Sequence, residues 1–235
     1  MSFKSKAFAA AATLTLVGGV GAMAATAANA ATPSAGPQAV DWFSKQFGTH
    51  HSPNFVLDVY RQGAKVGQPI ILFRSSNSDP AEDFTVAEEG TVDEFEAADL
   101  VSPALALQYG ELPAVEITYS PYGVDSGLCV GTSTTAGQGA KVVLDPCGVS
   151  SKTVWVYDYY NTAGFDNSYI PLINGSDTNF SHPYVLTYPT NGYPTDLPRP
   201  QLETDTLTGQ PFSPGNFSGV DDTQLWGQDH GVLQG

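Results

Sequence analysis

An all-β architecture of short strands follows from three features of this amino-acid sequence. Gly (24) and Pro (17) make up 41 of 235 residues, a density that interrupts long helices and supplies turns. Runs of four to six β-branched and aromatic residues recur between clusters of Gly, Pro, Asn and Ser. No stretch holds a sustained helical period, and the nearest to one, Val92 to Val101, is short and acidic. Hydrophobic residues at 41% can fill a core, and 14% charged residues is too few for a charge-rich disordered chain.

The chain begins with what reads as an export signal over residues 1–30. Lys4 and Lys6 precede an apolar run from Ala7 to about Ala28, which ends in Ala28-Asn29-Ala30, the small-x-small pattern that signal peptidase reads. The run approaches the ~20 residues of a membrane span, but its Gly and Ala content and the cleavage pattern point to removal after Ala30. Residues 31–38 are then expected as a short flexible N-terminus and 39–235 as one domain. The mature protein is expected to be secreted and extracellular, with no membrane contact after cleavage. Loss of the two lysines leaves 7 basic against 24 acidic residues, a net charge of −17. No nucleic-acid partner is expected, because nucleic acid is bound mainly through Lys and Arg.

Cys129 and Cys147 are the two cysteines. In an oxidising compartment they are expected to pair with each other, in a structural role. A zinc site wants four ligands in closer spacing, and no Asp-x-Asp-x-Asp-Gly calcium loop is present, so no metal is expected.

The strands fall in order into three similar units. In the first, Val40 to Phe47 leads into Phe55-Val56-Leu57-Asp58-Val59. A turn from Gly63 to Gly67 follows, then Pro69 to Phe73, then Glu82 to Val86. The second has Ala114 to Tyr119, Gly127 to Gly131, the turn Gly137-Gln138-Gly139, Lys141 to Leu144, and Thr153 to Tyr157. The third, more diverged, has Tyr184 to Thr187, the turn Asn191-Gly192, Arg199 to Leu202, and Gln224-Leu225-Trp226. At about four strands each, the units span roughly 39–88, 89–160 and 161–233, with about twelve strands in all. One unit cannot bury its own apolar face, so three are expected to close around a shared core.

These motifs resemble the ricin B-like β-trefoil lectins, whose pattern is Cys-Leu-Asp-Val, a Gly-rich turn, Val-Gln-Leu-Trp and then Gln-x-Trp. Val56-Leu57-Asp58-Val59 and Ile70-Ile71-Leu72-Phe73 look like the first unit, with Asp83-Phe84 near the Gln-x-Trp slot. Gly127-Leu128-Cys129-Val130 with Cys147 is similar to the family's disulfide within one repeat. Thr153-Val154-Trp155 and Gln224-Leu225-Trp226 fall where Gln-x-Trp belongs, and the last matches it fully. The resemblance covers roughly Ala39 to Leu233 and implies a β-trefoil of three repeats. It also implies structural roles for Trp155, Gln224 and Trp226, the tryptophans in the core and the glutamine bonded to backbone.

A sugar site of this family implies an Asp at the end of the second strand, an aromatic near the end of the third, and a polar amide beyond it. A carboxylate accepts bonds from two adjacent hydroxyls, and an aromatic face covers the C–H side of a pyranose. Carried over, only the first unit keeps the set: Asp58 as carboxylate and Phe73 as aromatic, with Asn77 and Asp79 in the following turn and Ala81 near the amide position. Asp58 also reads as a turn cap and Phe73 as a core aromatic. In the second unit Gly131 replaces the Asp, and Asp145 stands where the aromatic belongs. The third has Thr187 and Glu203 at those two places. The Tyr- and Asn-rich stretch from Trp155 to Tyr193 reads either as a carbohydrate surface or as filling of the hairpin layer.

No Gly-x-Ser-x-Gly, His-Glu-x-x-His or phosphate-loop motif is present, and nothing positions His50, His51, His182 or His230 beside a nucleophile. No enzyme activity and no cofactor are expected. The expectation is a secreted, lectin-like β-trefoil with one principal sugar site in the first repeat, its partner a polysaccharide or cell-surface glycan. The alternative is a degenerate trefoil without sugar affinity that serves as a secreted structural or protein-binding factor.

Overall fold

The computed structural model describes residues 39–49, 52–53, 55–76, 78–157, 169–190, 192–195 and 198–230; the expected export signal and N-terminal segment lie outside them. The strands are β1 (Val40–Ser44), β2 (Gly48–Thr49), β3 (Ser52–Pro53), β4 (Phe55–Val59), β5 (Ile70–Arg74), β6 (Phe84–Thr91) and β7 (Pro113–Tyr119). They continue with β8 (Leu128–Thr132), β9 (Ala140–Pro146), β10 (Val154–Val156), β11 (Ile173–Asn174), β12 (Tyr184–Thr187), β13 (Glu203–Thr206) and β14 (Trp226–His230).

Alternation along each strand decides what faces the core. In the first hairpin, Phe55, Leu57 and Val59 of β4 enter the main core with Ile70 and Leu72 of β5. The cross-strand pairs Val56–Phe73 and Asp58–Ile71 therefore share the opposite face.

The strands close on themselves. β1 pairs antiparallel with β14 from Val40–His230 to Ser44–Trp226, which joins the first strand to the last. Ala39 bridges Thr85 beside β6, β6 pairs with β7, β7 with β10, and β10 with β11. Ile170 bridges Trp226, which completes a ring of six. The hairpins β4–β5, β8–β9 and β12–β13 meet at one end. There Leu144 N donates to Gln68 O at 2.9 Å, Val142 N to Leu202 O at 2.8 Å, and Leu202 N to Ile70 O at 2.9 Å. A six-stranded barrel capped by a triangle of three hairpins is a β-trefoil.

Buried aromatics repeat with the same symmetry. Trp155 Nε1 donates to Val130 O, and Trp226 Nε1 to Leu186 O, both at 2.8 Å. Phe84 holds the matching place in the first unit. Cys129 in β8 is bonded to Cys147, just past β9, inside one hairpin.

Two short helices depart from the all-strand pattern: α1 (Val92–Ala97) and α2 (Pro103–Tyr109), inserted between β6 and β7. Caps specify them rather than periodicity. Thr91 and Glu94 form a reciprocal capping box, and Ser102 caps α2 with Pro103 in its first turn. Their buried residues Phe95, Leu105 and Tyr109 pack in a second cluster with Val154 and Val156, on the outer face of β10. No described helix is long and apolar enough to cross a membrane.

The disulfide closes a loop of eighteen residues. Replacing Cys129 and Cys147 together by Ala is expected to lower the unfolding free energy by about 3 kcal/mol, read as a lower urea midpoint. An unchanged midpoint would show that the hairpin needs no crosslink.

Candidate functional site

Strand register equates positions across the three units. Asp58–Ile71 corresponds to Gly131–Val143 and to Thr187–Glu203; Val56–Phe73 corresponds to Cys129–Asp145 and to Val185–Asp205. The residue equivalent to Phe73 in the third unit is therefore Asp205. The expected Glu203 lies two positions earlier, on the same face, and is ion-paired with Lys141. A two-residue slip preserves the alternation, so pattern alone does not reveal it.

After each third strand comes a single 3₁₀ turn: Pro80–Glu82, Ser151–Thr153 and Asp222–Gln224. The core aromatic follows two residues later, so Glu82, Thr153 and Gln224 are equivalent. Gln224 ties its unit together. Its Oε1 accepts from Thr208 N at 2.8 Å, and its Nε2 donates to Thr206 O at 3.0 Å and to Thr187 Oγ1 at 3.3 Å.

In the first unit a carboxyl stands in for that amide. Glu82 Oε2 accepts from Ser76 N at 2.8 Å, the same bond that Gln224 makes to Thr208. Glu82 holds the place of Gln224 and Asp58 that of Thr187, and the Asp58 charge acts on Glu82. Glu82 Oε1 and Asp58 Oδ2 are both buried and have no hydrogen-bond partner. Burial pushes Asp58 up to about 7; the Asp79 charge adds to this and the Arg199 charge opposes it. Burial pushes Glu82 up to about 8 against the Ser76 N–H bond, with Asp58, Asp79 and Asp41 adding to the rise. Burial thus biases both carboxyls toward their protonated, neutral forms near neutral pH.

Asp58 is 4% exposed, so it lies beneath the site rather than open to it. Phe73 is half-buried, and the Arg199 guanidinium covers its ring at 4.2 Å from the centroid. Asp79 caps the 3₁₀ turn, accepting from Ala81 N at 3.0 Å and from Gln62 Nε2 at 2.8 Å. Asn77 lies outside the described residues. An open cleft of about 460 Å³ runs beside this group, lined by Tyr60, Pro69, Ile71, Pro198, Arg199 and Gln201. Sequence reasoning missed Tyr60, Arg199 and Gln201, because two of them come from the third unit and meet the first hairpin only in the folded triangle. The scarcity of Arg was the one signal that could have drawn attention to Arg199.

The other units differ. A Cβ on Gly131 would stand 2.9 Å from Thr153 Cγ2 and 3.0 Å from Lys152 O, so no carboxylate fits there. Asp145 is ion-paired with Lys152 at 2.7 Å. In the third unit, Thr187, Asp205 and Gln138 border a smaller polar cleft of about 250 Å³. There Asp205 accepts from Gln138 Nε2 at 2.8 Å and Gly139 N at 3.0 Å. Trp155, Trp226 and Gln224 are buried in packing roles. Of the Tyr- and Asn-rich stretch, residues 158–168 lie outside the described residues, and Tyr157 and Tyr188 are buried in the core.

The chain matches no protein-family model and no curated protein. Solved structures similar to it include a designed three-fold symmetric protein, ThreeFoil, with 12% identity and a TM-score of 0.49, covering 81% of this chain and 96% of that one. The Rhizoctonia solani agglutinin has 15% identity and a TM-score of 0.47, covering 85% and 99%. An exo-beta-1,3-galactanase from Clostridium thermocellum has 11% identity and a TM-score of 0.49, covering 82% of this chain and 30% of that one. At these identities and scores none of them bears on what the chain binds.

The carboxyl pair gives a pH signature. Both groups titrate higher in the fold than their ordinary values of 3.8 and 4.5. Between those values and pH 7 to 8 the folded state holds the extra protons. Their contribution to stability is full below the ordinary values and is lost as pH rises through the folded ones, by up to about 1.4 kcal/mol per pH unit per proton. The urea midpoint is expected to fall from pH 6 to pH 8.5. Glu82→Gln, which supplies a permanent N–H donor, is expected to raise stability at pH 8.5 and flatten the decline. An equally steep decline in that variant would rule out titration of Glu82 as its source.

Proposed function

We propose that the chain is a secreted carbohydrate-binding β-trefoil whose principal site is the cleft on the outer face of the first hairpin. The observation that carries this reading is asymmetry among equivalent positions. The first unit places an aromatic, Phe73, at the third-strand end beside an open cleft, where the other units hold Asp145 and Asp205. Tyr60, Pro69, Ile71 and Pro198 offer apolar surface for the C–H face of a sugar ring. Arg199 and the Tyr60 hydroxyl offer polar groups for its substituents. In this reading Asp58 and Asp79 shape the hairpin and its 3₁₀ turn, and Phe73 holds Arg199 at the cleft. Secretion is supported by the Ala28-Asn29-Ala30 pattern and by the disulfide.

A second reading, a secreted structural or protein-binding factor without sugar affinity, is favoured by the burial of Asp58 and by the covered ring of Phe73.

The test is binding of the full chain to a panel of glycans and insoluble polysaccharides, beside Tyr60→Ala. Loss of the ring is expected to weaken binding about tenfold, the factor that matches ~1.4 kcal/mol of lost contact, with the melting temperature unchanged. Binding equal in parent and variant would move the site away from this cleft. No binding to any member at high protein concentration would leave the second reading standing.

A further inference from the structure

The few cations of this acidic chain are unevenly spent. Of nine Lys and Arg, seven lie in the described residues: Lys45, Arg61, Lys65, Arg74, Lys141, Lys152 and Arg199. Three are ion-paired: Lys45 with Asp222 at 2.8 Å, Lys152 with Asp145 at 2.7 Å, and Lys141 with Glu203. The other four have no ion-pair partner among the described residues. Arg61 and Lys65 lie in the β4–β5 turn and Arg199 crosses the outer face of the hairpin, whereas Arg74 lies at the hairpin's far end, paired with Phe55. With 24 carboxylates in the chain, acids to pair them are plentiful, so two guanidinium groups without an ion pair among the described residues, Arg199 and Arg61, beside one cleft call for a ligand.

Two of the four are held by aromatic rings. The Arg199 guanidinium lies 4.2 Å from the Phe73 centroid and that of Arg61 lies 5.0 Å from the Tyr60 centroid. Stacking on a ring fixes a guanidinium without using its N–H donors. Arg199 Nε is buried and has no partner. Arg199 and Tyr60 both line the cleft, so donors of a planar fork are present along its wall.

Among the described residues, no acid takes those donors in an ion pair. Asp58 is buried beneath the hairpin face and its Oδ2 makes no hydrogen bond. Asp79 is engaged by Ala81 N and Gln62 Nε2.

We propose that the ligand of this cleft is an acidic saccharide, the carboxylate of a uronic-acid unit being bound by the Arg199 guanidinium, with Arg61, stacked on the cleft residue Tyr60, as a second cation. The inference rests on the carbohydrate-binding reading above and names its ligand class. A flat carboxylate matches the guanidinium fork, which gives geometry as well as charge. Arg199 is thus the residue that sets specificity, contributed by the third unit to a site on the first.

The test compares binding of the full chain, at fixed ionic strength, to three probes: an oligogalacturonate, the neutral galacto-oligosaccharide of the same length, and a sulfated galactan. The oligogalacturonate is expected to bind at least about tenfold tighter than its neutral counterpart. Arg199→Gln and Arg199→Lys are both expected to reduce that binding to the neutral level, because Lys keeps the charge and loses the fork. Arg61→Gln, on an exposed turn, is expected to weaken it by a smaller factor, and it keeps the test open if the Arg199 variants melt early. Neutral and acidic probes bound equally would overturn the acidic specificity and leave carbohydrate binding intact. The sulfated probe bound as well as the uronate, with Arg199→Lys as tight as the parent, would mean diffuse charge attraction and overturn the fork. No binding of any probe would overturn this inference together with the reading beneath it.

Discussion

Three backbone hydrogen bonds at the hairpin end, Leu144 to Gln68, Val142 to Leu202 and Leu202 to Ile70, are the constraint on which the rest of the structure depends. Each hairpin has one apolar face and cannot bury it alone. The triangle brings the three faces together over the barrel and fixes their mutual register. Trp155, Trp226 and Phe84 then fall at equivalent depths, and the 3₁₀ turn before each one is set against its own hairpin. The same triangle lays the segment around Arg199 across β5, so the candidate cleft is a product of closure and belongs to no single repeat.

Three copies of one arrangement also show what each unit has changed. Gln224 satisfies a backbone donor, a backbone acceptor and the Thr187 hydroxyl at once. The second unit dispenses with the side chain at the strand position: Gly131 lets the turn close down on β8. The first unit puts two carboxyls where the third has an amide and a hydroxyl. Two buried ionised carboxyls would be unfavourable by several kcal/mol, and the rise that burial gives both favours their protonated forms instead. The unit that departs from the rule is also the one that carries the cleft and the unpaired cations. Functional sites are where local rules of stability are most often set aside.

Much of the fold was legible because it rests on local signals. Short β-branched and aromatic runs marked the strands that carry Leu57, Leu72, Val130 and Leu186, which the structure places in the core, and Gly and Pro marked the turns. The two cysteines paired as their compartment suggested. The helices α1 and α2 escaped because six and seven residues are too few for a period to show. Their evidence lay instead in Thr91-x-x-Glu94 and Ser102-Pro103. The site was harder to read. Glu82 was concealed because an acid in a glutamine slot looks like a mismatch until its partner Asp58 is seen to be buried. Asp205 was concealed because Glu203 satisfies the same alternation. Tyr60, Arg199 and Gln201 meet only through closure, which no window along the chain contains.

A net negative charge and a basic cleft do not contradict each other, because the two act over different distances. The summed charge of the chain governs approach from beyond a Debye length, about 8 Å at physiological ionic strength. Within that distance a ligand meets individual groups, and beside the cleft those include Arg199 and Arg61, neither ion-paired among the described residues. Aromatic rings keep the Arg199 and Arg61 guanidinium groups in place where a carboxylate partner would have neutralised them. Burial favours the protonated form of Asp58, which lowers the negative charge beneath the hairpin, so the field of Arg199 is spent less on Asp58 than an ionised carboxyl would demand. The carboxyl pair and the stacked arginines are thus two parts of one local arrangement. It leaves a positive donor surface exposed on a protein whose overall charge would otherwise cancel it.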